Sequence, residues 1–192
     1  MGENGRRRLP RIGTTLRQDN LRAELRARTS HQHECLDQAV GLFDTCDQYA
    51  RFLEGSRRFR AAVDDALDRQ GSWEVERLAD WIDADLSDLG RDPVATACFP
   101  VMPNSDAFAL GVAYVLEGSA LGARLLLRRA SELGFDGDHG ARHLVRQTND
   151  NGRWKRFLVE LDAVAPADRE QVVAGAASAF DFALNAYGGA QR

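Results

Sequence analysis

Apolar positions recur at helical spacing along most of this chain, and no stretch carries the period of two that marks a half-buried strand. Leucines return on this spacing from about Leu16 to Val40, and Gly41 to Asp44 interrupts them. Thr45 and Gln48 then form a capping-box pair for a second helix running to about Arg69. A third helix is expected from about Glu74 to Leu89, closed by Gly90. A loop holding Pro93, Pro100 and Pro103 leads to a long apolar helix capped by Asn104 or Ser105 and ended by Gly134. Two shorter helices, about 138–148 and 151–163, precede Pro166 and a last helix from about Ala167 to Tyr187. The pattern predicts an all-α, single-domain, multi-helical fold over residues 19–192, too uneven in its elements for a plain four-helix bundle. Residues 1–18 hold Arg6, Arg7, Arg8, Arg11 and Arg17 with little to bury, and read as a flexible basic tail.

The long apolar helix is the most informative element. It contains FALGVAYVLEGSALGAR from Phe108 to Arg124, with glycines at 111, 118 and 122 on one helical face. Each mid-helix glycine costs roughly 1 kcal/mol relative to alanine. Something therefore needs to approach that backbone closely: either another helix or a flat ligand. A ligand would also account for the polar residues Glu117 and Ser119 beside that face.

Charge and cysteines narrow the class. A net charge of -4 over 192 residues and a pI near 5.6 argue against a nucleic-acid binder. No run of consecutive apolar residues reaches a membrane span, and the arginine-rich start is not followed by an apolar signal core, so neither membrane insertion nor secretion is expected. Cys35, Cys46 and Cys98 include no CxxC pair, which predicts free thiols in a reducing, cytoplasmic setting, buried as small apolar side chains.

Four histidines are the candidates for chemistry. At 100° per residue, His33 lies about 20° from Val40, 40° from Thr29 and 60° from Leu36, whereas His31 lies about 160° from His33. This predicts that His33 faces inward, as a core histidine or as a metal ligand. Arg26 shares the azimuth of His33 about 10 Å along the axis, placed either to meet an anionic ligand arm or to snorkel to water. His139 and His143 have i, i+4 spacing without a third ligand. The acidic residues Asp64, Asp65, Asp68, Asp80, Asp83, Asp85 and Asp88 read as solvated helix faces. No nucleophile elbow, phosphate loop, dinucleotide fingerprint or paired Glu-x-x-His motif is present.

Two strings resemble bacterial haem oxygenases. LRARTSHQHECLD, Leu25 to Asp37, is similar to the first helix of that family, with His33 at the position of the proximal iron ligand. YVLEGSALGA, Tyr114 to Ala123, is similar to its distal helix. A weaker likeness runs through GARHL (140–144), Trp154 and Phe157 to SAFDFAL (178–184), where Phe180 matches an aromatic of the last helix. The resemblance covers about residues 21–187 and implies a haem-oxygenase-like fold that cleaves haem to biliverdin, CO and ferrous iron with O2. Haem is then both substrate and cofactor, and a ferredoxin or an NAD(P)H-dependent reductase supplies electrons as the redox partner.

The resemblance further implies His33 as iron ligand, Gly118, Gly122 and Ser119 at the distal side, and Arg26, Thr29, Tyr114 and Phe180 around the ring. Arg124, Arg128 and Arg129 are further candidates for the propionates. Ser119 stands where some relatives carry an aspartate that organises water, so that water is anchored differently here. Ala123 replaces a glycine and narrows the pocket. A non-catalytic haem carrier, or another enzyme or interaction module of the same helical fold, remains the alternative.

Overall fold

The computed structural model describes residues 21–150 and 152–188. The tail expected over 1–18 and the start of the first helix at Leu16 lie outside them. Among the described residues eight α-helices follow in order: α1 (Leu21–Arg28), α2 (Ser30–Val40), α3 (Cys46–Gln70), α4 (Ala79–Asp88), α5 (Asp106–Glu132), α6 (Arg142–Asn149), α7 (Arg153–Asp162) and α8 (Arg169–Gly188). A 3-10 turn at Pro166–Asp168 leads into α8. The all-α expectation holds.

Several boundaries fall where local chemistry required. Thr45 Oγ1 accepts from Gln48 N at 3.2 Å while Gln48 Oε1 accepts from Asp44 N at 2.7 Å, so both ends of the expected capping pair are used at the start of α3. Ser105 Oγ accepts from Phe108 N at 3.2 Å and caps α5. Gly90 and Gly134 adopt φ of 66° and 91°, the left-handed conformation in which glycine stops a helix without Cβ strain.

Three boundaries differ from the sequence reading. The expected first helix is two, joined at Thr29 with the helical bonds Thr29 N to Leu25 O and His33 N to Thr29 O retained. The third starts at Ala79 and not Glu74, because Leu78 N is drawn to Asp64 Oδ2 of α3 at 3.4 Å and Val75 and Leu78 turn into the core. The sixth starts at Arg142 and not near 138, because Asp136 Oδ1 collects the N–H groups of Asp138 and His139 in a turn.

Helix α8 is the spine of the molecule, packing on α1, α2, α3 and α5. Its sequence VVAGAASAFDFALNA supplies small buried residues, Gly175, Ala176, Ala179 and Ala183, that let neighbours come close. The closest approach is reciprocal. A Cβ added to Gly111 would collide with the Val172 carbonyl oxygen, and one added to Gly175 with that of Phe108. Two apolar clusters flank this crossing. One joins α1, α3, α5, α7 and α8 around Leu25, Val63, Val112, Phe157 and Leu161; the other joins α3, α4, α5 and α6 around Tyr49, Leu53, Ile82 and Leu144. Phe157 is fully buried, so its truncation to alanine would cost about 3–5 kcal/mol. Among the described residues α5 is the one helix long and apolar enough to cross a bilayer, but here it packs on α3, α6, α7 and α8.

Candidate functional site

Helix α2 buries none of its residues completely, and this corrects the expectation that His33 faces inward. The His33 side chain is 61% exposed. Of the residues nearest its azimuth, Thr29 is buried, but Val40 and Leu36 are only half-buried. His33 is nevertheless held on two sides: its Nδ1 lies 3.1 Å from Asp37 Oδ2, and its ring packs against Phe180 of α8 at 5.9 Å between centroids. Asp37 thus stands beside Nδ1, and Nε2 is the ring nitrogen away from the carboxylate. His31 is exposed, with Nε2 3.8 Å from Cys35 Sγ one turn on. Thr29 is buried, and its hydroxyl proton is spent on Leu25 O at 2.8 Å, so it can offer a ligand its methyl group or an acceptor lone pair but no donor.

Helix α5 changes character along its length. From Ala109 to Glu117 it is almost wholly buried, whereas from Gly118 onward one face is open. A Cβ at Gly118 or Gly122 would meet nothing within 4 Å, in contrast to Gly111. The three glycines that share a face in the sequence therefore serve two ends: Gly111 admits α8, and Gly118 with Gly122 bares backbone to open space. Leu121 and Leu125, 60% and 55% exposed, continue this bare face at helical spacing.

Tyr114, one turn before Gly118, connects the two helices that carry the candidates. Burial raises its pKa, and the cations Arg22 and Arg26 of α1 oppose that rise; Arg26 itself is exposed. Tyr114 and Arg22 also meet at Trp154: the phenol ring lies 5.8 Å from the indole, and the guanidinium sits over it at 5.7 Å. Ser119 Oγ donates to Leu116 O at 2.6 Å and accepts from Gln147 Nε2 of α6 at 3.1 Å.

Glu117 departs from the sequence reading. It is 5% exposed and is held by Arg153 Nε at 2.9 and 2.8 Å, Arg153 Nη2 at 2.8 Å and Trp73 Nε1 at 2.8 Å. Its polarity belongs to this ion pair joining α5 to α7 and not to a ligand face. The acidic residues divide too: Asp65, Asp68 and Asp80 are exposed and Asp83 and Asp88 half-buried, but Asp64 and Asp85 are buried. Asp85 accepts from the backbone N–H of Arg142 at 2.9 Å and of His143 at 3.0 Å, capping α6 from another helix, and sits 2.7 Å from His143 Nδ1. Burial lowers the pKa of His143, with Asp85 opposing. The cysteines are free as expected, but Cys46 and Cys98 are exposed and Cys35 is half-buried, so they are not the buried apolar fillers foreseen.

Sequence reasoning missed Asp37, Arg22, Gln147 and the Asp85–His143 pair. The i, i+4 spacing of His33 and Asp37 was a usable signal; the other three are tertiary pairings that no local spacing announces.

A histidine-bearing helix and a helix with bared glycines, both packed on one spine helix, mark this as an all-α protein. The family described as Heme oxygenase matches residues 94–186, which include α5 and most of α8. The heme oxygenase PigA of Pseudomonas aeruginosa is 33% identical over 176 residues, covering 84% of this chain and 89% of that protein. A heme oxygenase of Xanthomonas campestris pv. campestris is 29% identical over 142 residues, covering 70% and 85%. The NO- and CO-bound heme oxygenase of Neisseria meningitidis superposes with a TM-score of 0.69 at 28% identity, covering 89% of this chain and 92% of that one. The chain belongs to the haem oxygenase family.

Proposed function

We propose that this haem oxygenase seats haem against α1 and α2 on one side and the Gly118–Gly122 face of α5 on the other, with His33 as the proximal iron ligand. The division of the α5 glycines carries this reading. Gly118 and Gly122 forgo roughly 2 kcal/mol of helix propensity without admitting any protein neighbour, so the approach they permit is that of the ring. The residues fit the group: His33 offers Nε2, its Nδ1 being held by Asp37, and Phe180 supports its ring.

Haem supplies the iron at which O2 is activated and is itself the ring that is cleaved, giving biliverdin, CO and ferrous iron. The chain's own residues hold, orient and exclude. The Asp37 carboxylate stands 3.1 Å from His33 Nδ1 and orients the imidazole electrostatically. Thr29 contributes a methyl group and Phe180 an aromatic edge. Arg26, with Tyr114 beside it, meets a propionate through charge-assisted hydrogen bonds. Gly118 and Gly122 keep the space above the iron low, and Ser119 is the polar group adjoining it.

A ferredoxin or an NAD(P)H-dependent reductase delivers the electrons, and the free thiols suit a reducing, cytoplasmic compartment.

Titration of the purified protein with hemin tests this reading. We expect one equivalent to give a histidine-ligated Soret spectrum that bleaches to a green bilin on reduction in air. His33→Ala should lose both the spectrum and the turnover, with His31→Ala near wild type. The reverse pattern would overturn the ligand assignment.

A further inference from the structure

Ser119 is exposed on α5, yet its hydroxyl is not free to turn. Its proton goes to Leu116 O and one lone pair to Gln147 Nε2. A hydroxyl has one proton and two lone pairs, so what remains is a single acceptor position. A serine bonded only to its own helix exchanges its proton between the helix carbonyl and an outside acceptor. The bond from α6 removes that freedom: swinging the Ser119 proton toward Gln147 would set two donors face to face.

Gln147 borders a cavity of about 30 Å³ on the inner side of α5, together with Arg60, Glu117, Ala120 and Arg153. Roughly 10–15 Å³ suffices for one water with polar partners. Arg60 and Glu117 are 7% and 5% exposed, and the Glu117–Arg153 pair is fixed by several hydrogen bonds, so this wall is both charged and rigid.

We propose that Gln147 is a positioning residue that makes Ser119 a hydrogen-bond acceptor only, so that water beside Gly118 and Gly122 is held by donating to Ser119 and not by accepting from it. This rests on the reading that the Gly118–Gly122 face borders the haem. It gives the water on that side one orientation, set from α6 through a carboxamide that carries no charge and does not titrate.

A double-mutant cycle tests whether Gln147 acts through Ser119. Wild type, Gln147→Leu, Ser119→Ala and the double variant are loaded with haem, and the pH midpoint of the visible absorption transition and the biliverdin isomer composition are measured. Apo-protein melts on the same samples establish that each variant is folded, with Gln147→Met as the replacement if the leucine is not accommodated. We expect Gln147→Leu to move the midpoint by about half a pH unit or more, and to move it no further in the Ser119→Ala background. Equal and additive shifts, or no shift from Gln147→Leu, would overturn the proposal. Gly118→Leu in the same series separates it from the reading beneath. Wild-type turnover in that variant would sink the haem-facing assignment itself, whereas lost turnover beside an unmoved Gln147→Leu midpoint would sink only the role of Gln147.

Discussion

His33 Nδ1 and Asp37 Oδ2 stand 3.1 Å apart across one turn of α2. Both side chains are largely exposed, so as an isolated surface pair this contact would be worth little. Under the proposed role of His33 as iron ligand, its value lies in orienting the imidazole. We predict that Asp37→Asn leaves the apo protein as stable as wild type but lowers haem affinity or turnover by about 10- to 100-fold. Hemin titration and single-turnover bleaching read the two quantities separately. Wild-type values for both would make the pair a surface ornament.

Gly111 and Gly118 are predicted to respond in opposite ways to the same change. Gly111→Ala puts a methyl group into the Val172 carbonyl and should lower the apo melting temperature. Gly118→Ala enters open space and should gain about 1 kcal/mol of helix stability. Gly118→Leu should likewise hold or raise apo stability while haem turnover collapses, because the side chain occupies the space the ring and O2 require. Destabilised apo protein with near-normal turnover in Gly118→Leu would contradict this.

Arg26→Glu is predicted to weaken haem binding or rotate the ring in its site, with Arg26→Lys milder. The cation shares the neighbourhood of Tyr114 with Arg22, so charge reversal also alters that phenol's surroundings. A charge-assisted hydrogen bond to a propionate is worth roughly 1.5–3 kcal/mol, and the isomer composition of the product reports rotation. Unchanged affinity and isomer composition would show that Arg26 only covers the surface.

His143 makes stability depend on pH. Burial holds its pKa below the ordinary value of 6.5, against the pull of Asp85 from α4, while Arg60 of α3 adds to the lowering. The unfolded chain therefore takes up this proton first as pH falls. Stability from this group is full above pH 6.5 and is lost as the pH drops from there through the folded pKa. Apo melts between pH 7.5 and 5.5 should fall more steeply for wild type than for His143→Asn, which keeps a donor near Asp85 but does not titrate. Parallel slopes would remove His143 as the cause.

Helix existence, order and caps were legible in the sequence because they are local: Thr45, Ser105, Gly90 and Gly134 act within four residues of themselves. The haem-binding pattern was legible as a pair of strings, and the family comparisons bear out the family and its fold. What local pattern could not supply was which partner each residue finds. Three glycines at helical spacing look alike until Val172 is placed against one of them. Asp85 looks like its acidic neighbours until α6 presents two N–H groups and an imidazole to it. His33 was assigned inward because helix geometry fixes angles between residues but not the direction in which the core lies.

The crossing of α5 and α8 at Gly111 and Gly175 has a mechanical consequence. With backbone against backbone there, α5 is pinned along its buried half, and beyond Gly118 its inner face is seated again through the wholly buried Ala123 and Ala130. Gly122 lies eleven residues along, about 16 Å at 1.5 Å per residue, so a tilt of 3° about the pin displaces it by roughly 0.9 Å. The position of the open face at Gly118 and Gly122 is thus tied to two glycines on the buried side of the molecule, and a methyl group added at the crossing should be felt there.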